Sequence, residues 1–166
     1  MYKRQVLGLV GESGCGKTTL SNLLLGLDHP DAGTLSFMGR DYQSFTKKDW
    51  KLFRKDVQVV FQNPYASLNP KMKIGHIIKE PMDIHNIHSK SARKEKVINL
   101  LSKVGMGSEV YDRYPSQFSG GQRQRIVIAR ALASEPKVVI CDESVSALDV
   151  SIQTSSHTSE GNYSQR

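Results

Sequence analysis

At 166 residues, with 38% hydrophobic and 23% charged side chains, the chain is long enough for one domain with a sizeable core and too short for two large ones. Its net charge of +7 admits a nucleic acid, an anionic surface or plain solvent opposite the basic residues, and selects none of them by itself. The longest apolar runs, "VLGLV" at residues 6–10 and "LLL" at 23–25, fall far short of the ~18 residues of a membrane span.

Lys3 and Arg4 precede an apolar stretch too short for a signal peptide, and Cys15 and Cys141 match no zinc or disulfide spacing, so a cytosolic chain is expected. "VLGLV" reads as a buried strand that feeds directly into "GESGCGKTT". Beyond it, Leu20, Leu23, Leu24 and Leu27 mark one face of a helix at 3.6-residue spacing. "DHPDAG" at 28–33 is a turn cluster, and "TLSFMG" after it alternates Leu35 and Phe37 inward like a half-buried strand. The densest basic patch, "KKDWKLFRK" at 47–55, places Trp50, Phe53 and Val57 at i, i+3 and i+7, which predicts an amphipathic helix with a solvated basic side rather than a nucleic-acid stripe.

"VQVVFQ" at 57–62 is a further strand, stopped by Asn63 and Pro64. Val97, Leu100, Leu101 and Val104 form the stripe of a helix that Gly105 ends. Another helix is predicted from Ser119 through "GGQRQRIVIARALAS" to Pro136, followed by "KVVIC" as a strand leading to Asp142 and Glu143. Residues 153–166 contain six Ser or Thr and no aliphatic side chain, and are expected to form a disordered, non-native end. His85 and His88 in "HNIH" lack a Cys or acidic ligand set at zinc-like spacing, so a surface loop is expected there rather than a metal site.

Residues 11–18 match G-x-x-x-x-G-K-[ST] in full, between a predicted strand and a predicted helix. Glycines let the backbone curl until successive N–H groups face a phosphate, and the helix N-terminus adds partial positive charge. The candidate cradle is Gly11, Ser13, Gly14, Cys15, Gly16, Lys17, Thr18 and Thr19, with Lys17 reaching the β- and γ-phosphates and Thr18 holding Mg²⁺. At the carboxyl end of the "KVVIC" strand, where open α/β sheets bind ligands, Asp142 is placed to hold the magnesium shell and Glu143 to face an attacking water as general base. In "FSGGQRQR", Ser119 and Gln122 fit a reciprocal capping box, and Gly120 and Gly121 allow close backbone approach to an anion.

"GESGCGKTT", the Gln62 of "VVFQNP", "FSGGQRQR", "VVICDE" and "SALD" stand in the order found in ATP-binding cassette (ABC) ATPases, and resemble that family's Walker A motif, Q-loop, signature, Walker B motif and D-loop. The resemblance covers about residues 6–152, and "VVFQNPYASLNPKMKIGHIIKEP" at 59–81 with "ALDVSIQ" looks most like the ATPase subunits of oligopeptide, dipeptide and nickel importers. It implies an α/β fold: a P-loop NTPase (RecA-like) core of about 1–64 and 135–152, with an inserted α-helical subdomain at about 65–134. It implies ATP and Mg²⁺ as cofactors, the metal held by Thr18, Gln62 and Asp142, and Glu143 and Lys17 as catalytic residues. It also implies a head-to-tail dimer with a second ATPase subunit, in which Ser119, Gly121 and Gln122 act on the partner's nucleotide and Asp149 crosses the interface. Gln62 would couple closure to membrane-embedded permease subunits, the chain lying on the cytoplasmic face of the inner membrane, with no nucleic acid expected as a partner.

The sequence departs from the family pattern in several places. Phe118 replaces the usual leucine before the signature, and Ser144 stands where proline is usual after the catalytic glutamate, losing a rigid φ at that turn. Tyr2 is too close to the glycine loop to be the family's adenine-stacking aromatic, and His157 follows Asp149 too soon to be its switch histidine. The expectation is therefore the ATP-hydrolysing subunit of a peptide or nickel importer, incomplete at both ends. Its rivals are a non-hydrolysing ATP-binding fragment and a soluble cassette ATPase of DNA repair or translation.

Overall fold

A layer of three helices closes over a two-stranded parallel sheet in the computed structural model, which describes residues 6–61 and 67–141. The glycine loop precedes α1 (Lys17–Leu24), whose N-cap is Gly16 at φ +94°, a left-handed conformation that costs glycine little. α1 buries none of its residues among the described ones, and Leu20, Leu24 and Leu27 are 39%, 40% and 64% exposed. The predicted leucine stripe thus exists, but its face is not covered, and Leu27 lies beyond the helix end.

The strand expected at residues 6–10 is not formed: these residues are irregular and exposed, Val6 and Val10 almost fully. Strand structure is a property of a pair, because an extended backbone cannot satisfy its own N–H and C=O groups. Among the described residues no strand lies beside this run.

After α1 the chain makes a small hairpin, β1 (Ser36–Phe37) antiparallel to β2 (Arg40–Asp41). Met38 and Gly39 between them have φ +52° and +78°, the paired left-handed residues of a two-residue hairpin turn. Leu35 and Phe37 are half-buried, as the alternation predicts. The amphipathic helix follows as α2 (Lys47–Asp56). Its inner side chains join an aromatic cluster in which Phe53 meets Phe37, Tyr42 and Trp50 edge-on at 5.2, 5.1 and 5.4 Å between ring centroids.

This cluster anchors the end of α1. Tyr42 Oη donates to the Leu24 carbonyl at 3.0 Å, and the Trp50 indole lies against Gly26, at φ +67°, where a Cβ would collide with the ring.

α2 starts at a capping box in which Asp49 accepts from the Thr46 N–H at 2.9 Å and Asp49 N–H donates back to Thr46 Oγ1 at 3.3 Å. Arg40 adds a bidentate fork onto the same carboxylate, at 2.5 and 3.0 Å, joining hairpin to helix. The Arg40 hydrogen bond, with those from Thr46, holds the Asp49 carboxyl well below the usual carboxylate range.

α2 runs straight into β3 (Val57–Val60), which pairs parallel with β4 (Val138–Cys141) in the register Val57↔Val138 to Val60↔Cys141. Lys137 seats the start of β4, its N–H donating to the Asp56 carbonyl at 2.8 Å and its Nζ to Asp56 Oδ2 at 2.6 Å. β4 is where the apolar pattern placed it, although Val138 and Val139 are 41% and 39% exposed.

Between β3 and β4 the chain builds α3 (Ile74–Ile84), α4 (Lys90–Lys103) and α5 (Gly120–Leu132). Their apolar stripes make the core: Ile74, Ile78, Met82, Val97, Leu101 and Ile126 are all at most 1% exposed, packed with Val60 of β3. Burying side chains of this size contributes roughly 1.5–3 kcal/mol each before entropy is counted. The stripe predicted for α4 is the observed one, with Val104 at the C-cap and Gly105 at φ +71° after it. Arg93, 6% exposed, ties α4 to α3 by donating to Asp83 at 2.6 Å and to the Ile87 carbonyl at 2.9 Å. Among the described residues no helix is long and apolar enough to cross a membrane.

Gly26→Ala is expected to cost about 2 kcal/mol, combining left-handed strain with displacement of an aromatic ring. Trp50 is the single tryptophan, so a red-shifted emission in the folded variant would report that displacement directly. Asp49→Asn tests the cap. A carboxyl whose pKa is lower folded than unfolded stabilises above its unfolded value, near 3.9, and loses that contribution as pH falls below it. The variant should therefore melt below the native chain equally at pH 7 and pH 5, and the gap should close as the pH drops under about 4.

Candidate active site

The loop of residues 11–16 is held by its own lysine. Lys17 Nζ donates to the Gly11 and Glu12 carbonyls, both at 2.7 Å, and lies 3.7 Å from Cys15 Sγ. An ammonium has three donors and no acceptor, so these contacts gather the loop around one positive charge. Gly14 at φ +84° and Gly16 at φ +94° reverse the backbone twice, and a Cβ at either would meet nothing within 4 Å. The surroundings are thus open and the conformation itself is what calls for glycine. At Gly11 the reason is different, because a Cβ there would strike Cys15 Sγ.

α1 begins at Lys17 with no side-chain cap, so its first-turn N–H groups, Lys17 to Thr19, have no acceptor within the helix. Thr18 and Thr19 are exposed in that turn. A closed loop, uncapped helix N-terminus and ammonium together suit an anion with several oxygens.

The second predicted element is at the start of α5. Ser119 Oγ accepts from Gln122 N–H at 3.3 Å and Gln122 Oε1 accepts from Ser119 N–H at 3.0 Å, so the reciprocal box is formed. It leaves the N–H groups of Gly120 and Gly121 without an intrahelical partner, and a Cβ at Gly121 would meet nothing within 4 Å. Phe118, beside the box, is buried and belongs to the core. Among the described residues no hydrogen bond or ion pair joins residues 11–19 to residues 119–122.

Gln62, Asp142, Glu143 and Asp149 lie outside the described residues, as does the tail at 153–166. What precedes the first three is described: β3 and β4 run side by side and in step to Val60 and Cys141. His85 and His88, three positions apart in sequence, have separate surroundings. His85 lines the cleft between β3, α3 and α5, its pKa pushed down by burial and then by Lys51 and Lys55, whereas His88 Nε2 bonds Glu135 Oε1 at 2.9 Å. Among the described residues no three His, Cys, Asp or Glu side chains gather as a metal site would require.

Sequence reasoning missed one feature of the fold. A cleft of about 930 Å³ opens between β3, α3 and α5, lined among others by Gln58, Phe61, Met72, Ile84, His85 and Arg130. Its sequence signal was Arg130, a charged residue one turn after the buried Ile126 and Val127 on the core-facing side of α5.

A family model described as ABC transporter matches residues 1–146. The chain belongs to the ABC transporter family. Over 154 residues it is 53% identical to the oligopeptide transport ATP-binding protein OppF of Haemophilus influenzae, covering 92% of this chain and 46% of that protein. It is 52% identical to the dipeptide transport ATP-binding protein DppF of Escherichia coli K12, covering 92% and 46%. The oligopeptide transport ATP-binding protein AppF of Bacillus subtilis 168 is 50% identical, over 92% of this chain and 47% of its own.

The chain spans about half the length of the curated relatives it matches. Among solved structures, cbiO1 of Clostridium perfringens, part of the transporter complex cbiONQ, superposes with a TM-score of 0.70 at 28% identity, covering 84% of this chain and 54% of that one. The ATP-binding cassette MJ0796, dimeric and bound to ADP and Pi in a post-hydrolysis state, gives 0.72 at 28% identity, covering 85% and 61%. The fold is accordingly the α/β P-loop NTPase fold of ABC ATPases, and nucleotide binding is the property that membership brings.

Proposed function

We propose that this chain is the nucleotide-handling part of an ATP-hydrolysing subunit that energises a peptide importer. The observation that carries the reading is the Lys17 ammonium fixed over the glycine loop at the uncapped start of α1, in a chain about half identical to peptide-transport ATP-binding proteins. Those relatives are named for oligopeptides and dipeptides, which favours peptides over nickel as the solute.

In this reading residues 11–19 cradle the phosphates of ATP. Lys17 leaves the loop carbonyls for the β- and γ-phosphate oxygens, trading neutral acceptors for charged ones. The Thr18 hydroxyl, exposed in the first turn of α1, fits one position on a magnesium ion, with Gln62 and Asp142 supplying the others. Bound there, Mg²⁺ would neutralise charge on the β- and γ-phosphates. Glu143 takes the proton of the attacking water.

Ser119, Gly120, Gly121 and Gln122 form a capped helix start whose first-turn N–H groups suit an anion, and in this reading they close on a second subunit's nucleotide in a head-to-tail dimer. The core would comprise about 1–64 and 135–152 and the helical subdomain about 65–134, with the cleft between them receiving a permease segment. The chain would then sit peripherally on the cytoplasmic face of the membrane.

Lys17→Ala is expected to weaken Mg-ATP binding by roughly 10- to 100-fold, the worth of a hydrogen bond from a charged donor; unchanged affinity in a calorimetric titration would remove the loop as the site. Glu143→Gln should abolish phosphate release while leaving Mg-ATP affinity in place. Equal phosphate-release rates for native and variant chains would leave a nucleotide-binding protein that does not hydrolyse.

A further inference from the structure

The basic residues of α2 are Lys47, Lys48, Lys51, Arg54 and Lys55, and its acidic ones are Asp49 and Asp56. Both carboxylates are neutralised from outside the helix, Asp49 by Arg40 of the hairpin and Asp56 by Lys137 at the start of β4. Among the described residues none of the helix's own cations has an ion pair. At about 100° per residue, these cations fall within an arc of about 120°, opposite the side that carries Asp49, Trp50 and Phe53. Lys47, Lys48, Lys51 and Arg54 are exposed and Lys55 is half-buried. Leu52, at the margin of the stripe, is exposed too.

Helix stability does not account for this arrangement. Lys47, Lys51 and Lys55 follow one another at every fourth position, where like charges repel. Lys47 and Lys48 also stand in the first turn, where the helix dipole disfavours a cation. α4 shows the ordinary alternative: Lys90 and Lys94 fall on one side of it and Lys96 and Lys103 on the other, and Lys94 lies over the Tyr111 ring at 5.4 Å.

The stripe also has a definite place in the fold. Lys51 and Lys55 are near enough to His85 to push its pKa down, and His85 lines the cleft between β3, α3 and α5. In the proposed function that cleft receives a permease segment, so the basic side of α2 lies at the end of the molecule turned to the bilayer.

We infer that α2 is a membrane-contact helix, with Lys47, Lys48, Lys51, Arg54 and Lys55 set against anionic lipid headgroups and Leu52 beside them at the acyl boundary. The direction in which the stripe faces rests on the proposed function. Headgroup phosphates relieve the repulsion among the lysines, and each basic residue held at an anionic surface raises partitioning by about fivefold.

The test is co-sedimentation of the chain with vesicles of equimolar phosphatidylglycerol and phosphatidylcholine, and with vesicles of phosphatidylcholine alone, Mg-ATP affinity being measured on the same protein. The native chain should bind the anionic vesicles at about 0.1 M salt and release them at about 1 M, where charges are screened within about 3 Å. The combined variant Lys47→Gln, Lys48→Gln, Lys51→Gln and Lys55→Gln should bind them about tenfold more weakly or worse, with Mg-ATP affinity within about twofold of native. Its melting temperature should not fall, because the substitutions remove a repulsion. Lys90→Gln, Lys94→Gln, Lys96→Gln and Lys103→Gln together remove as much charge, and should weaken vesicle binding by less than about threefold.

Equal losses in the two variants would overturn the inference, since they would trace binding to net charge rather than to the stripe. So would equal binding of the native chain to phosphatidylcholine alone, or tighter binding to an RNA duplex than to the anionic vesicles at the same salt. A native chain that binds Mg-ATP but not anionic vesicles overturns this inference alone, whereas one that does not bind Mg-ATP overturns the proposed function and this inference with it.

Discussion

The parallel pairing of β3 with β4 is the constraint on which the rest of the molecule is arranged. Parallel neighbours cannot be joined by a tight turn, so the chain that leaves Val60 must cross over before it returns at Val138. What crosses over here is the whole helical layer, α3, α4 and α5. Its core includes Val60 itself. The same pairing sets the carboxyl ends of both strands side by side, where an open α/β sheet presents its ligand-binding residues. The Lys137 to Asp56 contacts fix where that register begins.

The phosphate loop is attached more lightly. α1 buries none of its residues among those described, and it is connected through Tyr42 on the Leu24 carbonyl and Trp50 on Gly26. The aromatic cluster is in turn linked to α2 by the Thr46, Asp49 and Arg40 network. The position of the loop therefore depends on a few directional contacts, and that of the helical layer on volume exclusion in a dense interior.

How much of this was legible in the sequence follows from whether each signal is local. α2 could be read from the spacing of Trp50, Phe53 and Val57, and α5 from the cap of Ser119 with Gln122, because both signals are written within a few residues. α4 could be read from its stripe and Gly105. No helix was read over α3 from its own residues, which include Gly75 and Pro81. Yet Gly75 is where the Tyr111 ring packs against the helix, and Pro81 sits in its last turn. The run at residues 6–10 was read as a strand from its composition, although only a neighbouring strand would make it one. The glycine loop was legible in full, because its chemistry is contiguous. Arg130 was not, since its partners Ser67 and Glu80 are distant in sequence.

Two arginines show how the same side chain serves different ends. Arg93 is 6% exposed and bonds Asp83 and the Ile87 carbonyl at the α3–α4 corner, so removing it would take a donor from that carbonyl, leave Asp83 with Lys79 at 3.5 Å, and cost stability. Arg130 is about a third exposed and joins three separate segments, so its value is geometric rather than energetic. Stability in a protein is not uniform, and the parts that move in function come from its less buried portion. Here that portion contains the phosphate loop and the rim of the cleft, while α3, α4 and α5 supply the rigid body. Arg130 ties the cleft rim at Ser67 and α3 at Glu80 to that rigid body by direction rather than by burial.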